Sequence, residues 1–225
     1  MSTIVYNMDC MVGMKEYPDK YFDLAIVDPV YGGVTQGGYM TDNIKGRQIG
    51  NGLGKQKGYY SGLWQQGKTS KDYFDELFRV SKNQIIWGGN YFIEEINKDT
   101  QCWLIWDKKH PEGVTFADAE LAWTSFDSAV RIFRFLWNGM LQENMGGDKE
   151  KRIHPTQKPV ALYEWVLKNY AKDGDKILDT HVGSGSSRIA CEKLGFDYVG
   201  YEIDETYFNE QEKRFQEEQW NIPLF

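Results

Sequence analysis

The stretch KILDTHVGSGSSRIACEKLGFDYVGYE, residues 176–202, decides the fold. Its first four residues predict a short strand, Gly183-Ser184-Gly185 predicts a tight turn into a helix ending at Gly195, and residues 198–202 predict the next strand. Glycines let the backbone turn sharply and approach a ligand closely at a helix N-terminus. Glu202, at the end of the second strand, can accept hydrogen bonds from two ribose hydroxyls. This pattern suits an adenosine-containing cofactor, although a Gly-Ser-Gly turn taken alone is as often only a turn.

Working outward, the chain continues to alternate strands with helices. Apolar runs predict strands at residues 21–27, 84–87, 102–106, 119–125 and 130–137. Helices are predicted at residues 70–80, from Pro159 to about residue 170, and from a cap at Asp204 to about residue 219, with a loop at residues 140–152. The alternation indicates an α/β fold with a doubly wound, mostly parallel sheet. A length of 225 residues suits a single domain, residues 1–225.

Composition excludes several classes of protein. No apolar run approaches the ~20 residues that span a bilayer, and the first residues, MSTIV, lack the features of a secretory signal. Three cysteines without a C-x-x-C pair and three scattered histidines argue against disulfides and a metal site, so we expect a cytoplasmic protein without metal. The net charge of -7 opposes non-specific nucleic-acid binding by the whole surface. Between residues 32 and 71, however, six basic residues accompany a single acid.

Asp28-Pro29-Val30-Tyr31 directly follows the strand predicted at residues 21–27. Ligands bind at the carboxyl ends of strands in open α/β sheets. An exocyclic base amine is a poor nucleophile, because its lone pair is delocalised into the ring. The Asp28 carboxylate and the Pro29 carbonyl can accept its two hydrogens and localise the lone pair, while Tyr31 can stack on a base extruded from the duplex. An Asp-Pro turn followed by a core tyrosine would explain the same residues without function.

A third motif, HPTQKP at residues 154–159, opens a predicted helix. A helix N-terminus together with Lys158 can hold a carboxylate, such as that of a methionine moiety. A loop that ends in a helix started by Pro159 is also an adequate explanation.

Together the three motifs resemble the amino-methylating DNA methyltransferases of the permuted β class. That family shows, in order, a Gly-Asp near the start, D-P-P-Y after a strand, a target-recognition region, H-P-T-Q-K-P, and D-P-F-x-G-S-G followed by an acidic strand end. This chain has Asp9, residues 28–31, residues 154–159, residues 179–185 and Glu202 in the same order. The resemblance covers nearly the whole chain, and residues 154–159 are its most specific part. It implies a Rossmann-like methyltransferase fold, S-adenosylmethionine as cofactor, and methylation of an exocyclic amine in double-stranded DNA, as in restriction-modification.

The resemblance also implies roles for individual residues. Asp28, Pro29 and Tyr31 correspond to the catalytic motif, and Asp9 to the contact with the cofactor adenine. The other implied cofactor-binding residues are Cys10, Asp28, Lys158, Asp179, His181, Gly183, Ser184, Gly185 and Glu202. The chain departs from the family at Met8, where a glycine usually precedes the acid, at Val30, where a second proline is usual, and at Thr180 and His181, which replace a proline and an aromatic residue. These departures leave open a methyltransferase-fold module that binds nucleic acid with weakened turnover.

Two regions are expected to bind DNA: the glycine-rich basic residues 32–69, and residues 107–153 at the family's target-recognition position. Basic side chains can neutralise phosphates, and aromatic ones can stack on bases or fill the place of a flipped base. The candidate contacts are Lys45, Arg47, Lys55, Lys57, Tyr59, Tyr60, Trp64, Arg131, Arg134, Lys151 and Arg152. A solvated insertion and an exposed strand face are the corresponding structural alternatives.

Several functional alternatives stay open at this point. Adenine N6 is the favoured target because the motif begins with Asp28 rather than serine, a tendency of the family, but cytosine N4 and RNA bases remain alternatives. A nicotinamide oxidoreductase fits loosely, yet Arg188 stands where the third glycine of G-x-G-x-x-G would be. Relatives often dimerise, so a homodimer is a further expectation.

Overall fold

A computed structural model describes residues 1–31, 67–110, 117–138, 141–143 and 149–220, and an eight-stranded sheet forms its centre. The strands of this sheet are β1 (Thr3–Tyr6), β2 (Phe22–Val27), β3 (Ser81–Trp87), β4 (Leu104–Asp107), β5 (Ala119–Thr124), β6 (Arg131–Arg134), β9 (Lys176–Asp179) and β10 (Asp197–Tyr201). A separate two-stranded ribbon joins β7 (Trp137–Asn138) to β8 (Leu141–Gln142).

The sheet order is β1-β10-β9-β2-β3-β5-β4-β6. The first five strands in this order are parallel neighbours, whereas β5 runs antiparallel to both β3 and β4. The parallel part is therefore built from the beginning and the end of the chain, which meet where β1 pairs with β10 and where β2 pairs with β9.

Helices cover both faces of this sheet. They are α1 (Cys10–Met14), α2 (Lys71–Val80), α3 (Ile93–Ile96), α4 (Val160–Tyr170), α5 (Ser186–Leu194) and α6 (Glu205–Trp220). Strand β2 shows why two layers form, because successive side chains of a strand point to opposite faces. Leu24 and Ile26 pack in the core that contains α4 and α5, while Ala25 and Val27 pack in the core that contains α2. None of the described helices has the length and apolarity needed to cross a membrane.

The sheet reverses its winding direction between β9 and β2. From β9 the chain passes through α5 to β10 on one side, whereas α2 lies between β2 and β3 on the other side. Such a reversal opens a crevice at the carboxyl ends of the two central strands, where open α/β sheets bind ligands. The topology therefore predicts a ligand site at the residues that follow β2 and β9.

The structure confirms the predicted α/β sheet and corrects several element boundaries. The strand predicted at residues 130–137 ends at Arg134, because Trp137 pairs instead with Gln142. Pro159 precedes α4 as an extended residue with ψ 146° rather than forming its first turn. The pairing of Leu141 and Gln142 with β7 also falls inside the predicted loop. Short elements with little periodicity, namely β1, α1 and α3, were not predicted.

Candidate active site

Three acidic residues gather at the carboxyl edge of the parallel strands. Asp28 follows β2, Asp179 ends β9, and Glu202 follows β10. Burial raises the pKa of Asp179 to about 6, and the charges of Asp28 and Glu202 also raise it, against hydrogen bonds from Ser187 and His181. The acids of two distant motifs therefore act on one another in a single neighbourhood.

The glycine turn brings Glu202 to the start of α5. Gly183 and Gly185 have φ of +52° and +76°, a backbone conformation that favours glycine. The Gly183 N–H donates to one Glu202 oxygen at 2.8 Å, and the Asp204 N–H donates to the other at 2.9 Å. A carboxylate has about four acceptor sites, so Glu202 can accept a further donor.

Buried polar side chains hold this turn in place through hydrogen bonds. Arg214 of α6 donates to the Ser184 carbonyl at 2.8 Å and to the Glu150 carboxylate at 2.7 Å. The Ser186 hydroxyl donates to the Lys158 carbonyl at 2.7 Å. The turn is thereby tied to residues 154–159, although the two segments are separated by α4 and β9 in the chain.

Tyr73 of α2 supports the turn from the other face of the sheet. Its hydroxyl lies 2.5 Å from Thr180 Oγ1, and its ring meets the His181 ring edge-on with centroids 5.5 Å apart. Burial lowers the pKa of His181 to about 4, so the imidazole is neutral at neutral pH. Thr180 and His181, which replace the usual proline and aromatic residue of the cofactor loop, are thus held by a tyrosine that no motif contains.

Asp9 and Cys10 lie at the start of α1. The Asp9 carboxylate accepts the Met11 N–H at 2.8 Å and so caps the helix. Burial raises the pKa of the Cys10 thiol to about 12, and the charges of Asp9 and Asp179 add to this. Cys10 is therefore a protonated thiol at neutral pH.

Thr69 holds the segment that follows β2. Its backbone N–H and its hydroxyl both donate to the Val30 carbonyl, at 2.9 and 2.8 Å. Two hydrogen bonds at this position restrain the backbone where the family usually has a second proline.

Tyr31 packs against a second tyrosine, and Gly88 lies beside both rings. Its ring stacks on Tyr91 with centroids 4.6 Å apart. A Cβ atom added to Gly88, which has φ +67°, would lie 3.1 Å from the Tyr31 ring. One face of the Tyr31 ring is therefore covered by Tyr91.

A chain of four charges links residues 28–31 to residues 154–159. The Lys158 ammonium pairs with the carboxylate of Asp28 and, at 3.1 Å, with that of Glu120, which also pairs with Lys108 at 2.6 Å. Lys158 is only 4% exposed. Burial raises the pKa of Asp28 against the opposing charge of Lys158. At Glu120 the two lysines outweigh burial and lower the pKa to about 2. Although the resemblance assigns Lys158 to the cofactor, its partners here are two carboxylates of the protein.

His154, which opens the hexapeptide, packs against the glycine turn. Its ring lies 4.3 Å from the Tyr207 ring, and a Cβ added to Gly183 would lie 3.7 Å from it. Burial lowers the pKa of His154 to about 4, with help from Lys158.

The predicted DNA contacts are only partly among the described residues. Lys45, Arg47, Lys55, Lys57, Tyr59, Tyr60 and Trp64 lie outside them. Arg131 and Arg134 are exposed on β6, one of the two edge strands of the sheet, and Lys151 is exposed as well. Arg152 is half-buried and donates to the Pro155 carbonyl at 2.8 Å, so part of its donor capacity is used inside the protein. Residues 107–153 contribute β5 and β6 to the main sheet.

Sequence reasoning missed several residues of this site. Glu120 lies in β5 and Lys108 directly follows β4, two strands that pair in the sheet but carry no motif, and Tyr73 lies in a helix that was predicted without any role in the site. Arg214 lies in an acidic helix whose sequence gives no sign of a buried arginine. Lys158 and Asp28 were both predicted, but not as partners.

Comparisons with known proteins bear on the fold and the family of this chain. A family model described as DNA methylase, for N6 and N4 methyltransferases, matches residues 30–213. The type II methyltransferase M.HinfI of Haemophilus influenzae is 25% identical over an alignment of 243 positions, which covers 93% of this chain and 67% of that enzyme. The crystal structure of the M1.HpyAVI–SAM complex has a TM-score of 0.56 at 20% identity, covering 95% of this chain and 100% of that chain. The cytosine-N4-specific PvuII DNA methyltransferase has a TM-score of 0.61 at 12% identity, covering 96% and 86%.

These two structural likenesses show the fold alone. The family model covers well over half of the residues, and this chain therefore belongs to the DNA methylase family of N6 and N4 methyltransferases.

Proposed function

We propose that this chain transfers a methyl group from S-adenosylmethionine to the exocyclic amine of a base in double-stranded DNA, with adenine N6 as the favoured target. The observation that carries the proposal is the position of Lys158. Its side chain contacts Asp28, and its carbonyl accepts the Ser186 hydroxyl at the start of α5. The acid of one motif and the glycine turn of another are thus joined through one residue at the crevice.

The residues around the glycine turn suit S-adenosylmethionine. The positive φ of Gly183 and Gly185 allows the sharp turn into α5, and Glu202 retains acceptor capacity for a ribose hydroxyl. Asp9, Cys10, Asp179 and His181 border the same edge of the sheet. Lys158 has three N–H donors and two anionic partners, so one donor is available for a ligand carboxylate. When bound, the cofactor supplies an electrophilic methyl group on a sulfonium.

Asp28, Pro29 and Tyr31 prepare the acceptor amine. An ionised Asp28 and the Pro29 carbonyl accept its two hydrogens, which localises the lone pair on nitrogen. Lys158 favours the ionised form of Asp28, because its charge opposes the effect of burial on the pKa. Thr69 restrains Val30 with two hydrogen bonds, which supports turnover over the alternative of a weakened binding module.

The target base is inferred from sequence alone. The motif begins with Asp28, which favours adenine by the tendency of the family, while N4 of cytosine and RNA bases are the competing targets. The basic residues 32–69 and the exposed Arg131, Arg134 and Lys151 are proposed to contact DNA phosphates.

Methylation of unmodified DNA with labelled S-adenosylmethionine, followed by nucleoside analysis, tests this proposal. We expect N6-methyladenine from the wild type, and a loss of at least about a hundredfold in Asp28→Ala. Asp19→Ala is the matched control, because Asp19 precedes β2 at the opposite end of the strand and pairs with Arg79 on the surface. Formation of N4-methylcytosine would identify cytosine as the target base, and methylation of RNA alone would identify RNA as the substrate. Binding of cofactor and DNA without methyl transfer would mean that the chain is a binding module rather than an enzyme.

A further inference from the structure

Glu120 has no role in any sequence motif, yet it lies at the centre of the four charges. Its carboxylate lies 3.1 Å from Lys158 Nζ and 2.6 Å from Lys108 Nζ. Buried and half-buried ion pairs contribute little to folding, because desolvation offsets their attraction. A carboxylate that bridges two lysines beside Asp28 therefore calls for an explanation in the chemistry of the site.

The explanation concerns how the charge of Lys158 is divided. Its ammonium is shared between Asp28 and Glu120. With Asp28 as its sole anionic partner, the whole positive charge would act on the carboxylate that must accept a hydrogen from the target amine. A carboxylate held in a complete ion pair accepts a neutral N–H less strongly, since its charge is already compensated.

We propose that Glu120 is a positioning residue for methyl transfer, which draws the Lys158 ammonium partly away from Asp28 and keeps an Asp28 oxygen available to the target amine. Lys108 holds Glu120 in place from the other side. The inference rests on the proposed function, because it assigns Asp28 the role of acceptor for the amine.

The charged groups around Asp28 predict how its pKa should change when Glu120 or Lys158 is replaced. The charged and titratable groups that act with it are Lys158, Glu120, Lys108, Asp179, Tyr31, Tyr73 and Tyr163. Among these, Glu120 alone both repels the Asp28 charge and binds the lysine that attracts it. Removing the Glu120 charge should lower the pKa of Asp28, whereas removing Lys158 should raise it.

The test compares E120Q, E120D and K158M in single-turnover methylation of DNA across pH, with S-adenosylmethionine binding and melting temperature measured in parallel. We expect E120Q to be about tenfold slower, as for a small misplacement of a reacting group. The acid limb of the pH–rate profile should move to lower pH in E120Q and to higher pH in K158M. E120D should recover part of the wild-type rate. E164Q is the matched control, since Glu164 forms its ion pairs with Lys168 and Lys193 on the outer helices.

Two results would overturn the inference. The first is an E120Q protein with the wild-type rate and acid limb. The second is a loss of rate in E120Q that follows a fall in cofactor affinity and melting temperature without a displaced limb, which is the result of a merely structural role. If the wild type transfers no methyl group, the proposed function itself is wrong. If the wild type is active and E120Q is unaffected, only the proposed role of Glu120 is wrong.

Discussion

The ring of Tyr91 stacks on the ring of Tyr31, with centroids 4.6 Å apart and ring planes 19° apart. Tyr91 belongs to the short 3-10 helix Gly89–Tyr91 after β3 and is 41% exposed, whereas Tyr31 is half-buried in the motif after β2. Because Tyr91 covers one face of Tyr31, the stacking of a flipped base proposed above would use the opposite face. On this proposal, Tyr91 fixes the orientation of the stacking surface.

Replacing Tyr91 should therefore reduce methylation through Tyr31. An aromatic pair contributes about 0.5–1.5 kcal/mol beyond buried area, so we expect Tyr91→Ala to lower kcat/KM for DNA by about three- to tenfold. Tyr91→Phe keeps the ring and should behave like the wild type. Steady-state kinetics at varied DNA concentration measures this, and equal losses in both variants would show that the hydroxyl matters rather than the stack.

The glycine turn offers a prediction in which strain and function can be separated. Gly185 and Gly174 both have positive φ, +76° and +84°, so an alanine at either position should destabilise the protein by about 1–2 kcal/mol. Only Gly185 adjoins the site, where a Cβ would also lie 3.2 Å from the Gln211 side chain, while nothing lies within 4 Å at Gly174. We expect both variants to melt at a lower temperature, and only Gly185→Ala to bind S-adenosylmethionine more weakly by calorimetry. Similar cofactor affinities in the two variants would refute a role of this turn in binding.

The sequence predicted those parts of the molecule that depend on local pattern. The glycine turn follows from glycine chemistry, and α2, β2 and β9 follow from periodicity. The carboxyl ends of β2 and β9 could be expected to meet. The partner of Lys158 could not be predicted, because Asp28 and Glu120 come close only after β5 pairs beside β3 and antiparallel to it. Contacts of this kind depend on sheet order, which no local pattern encodes.

The raised pKa of Asp179 predicts a gain in stability when its charge is removed. The folded state binds the Asp179 proton more tightly than the unfolded chain, so its contribution to the free energy of unfolding is complete below about pH 4 and is lost as pH rises to about 6. Asp179→Asn should therefore be more stable than the wild type by about 1–3 kcal/mol above pH 6, with the difference vanishing near pH 4. Urea unfolding between pH 4 and 7.5 measures this. Asp175→Asn, in the turn before β9, is the control and should show no gain, since it weakens the hydrogen bond from the Lys172 N–H.

The basic segment predicts how DNA binding should depend on salt. Each phosphate neutralised by a lysine or arginine adds about 0.9 to the slope of log K against log salt concentration for duplex DNA. Replacing Lys45, Arg47, Lys55 and Lys57 together by alanine should therefore reduce that slope by up to about 3.6, and the affinity with it. The matched control removes four positive charges elsewhere, at Lys15, Lys82, Lys168 and Lys172, which are exposed on other parts of the chain. Because both variants have the same net charge, a smaller slope in the first variant alone locates the DNA at this segment, whereas equal reductions would mean that only overall charge matters. Fluorescence anisotropy with one duplex at five salt concentrations decides between the two outcomes.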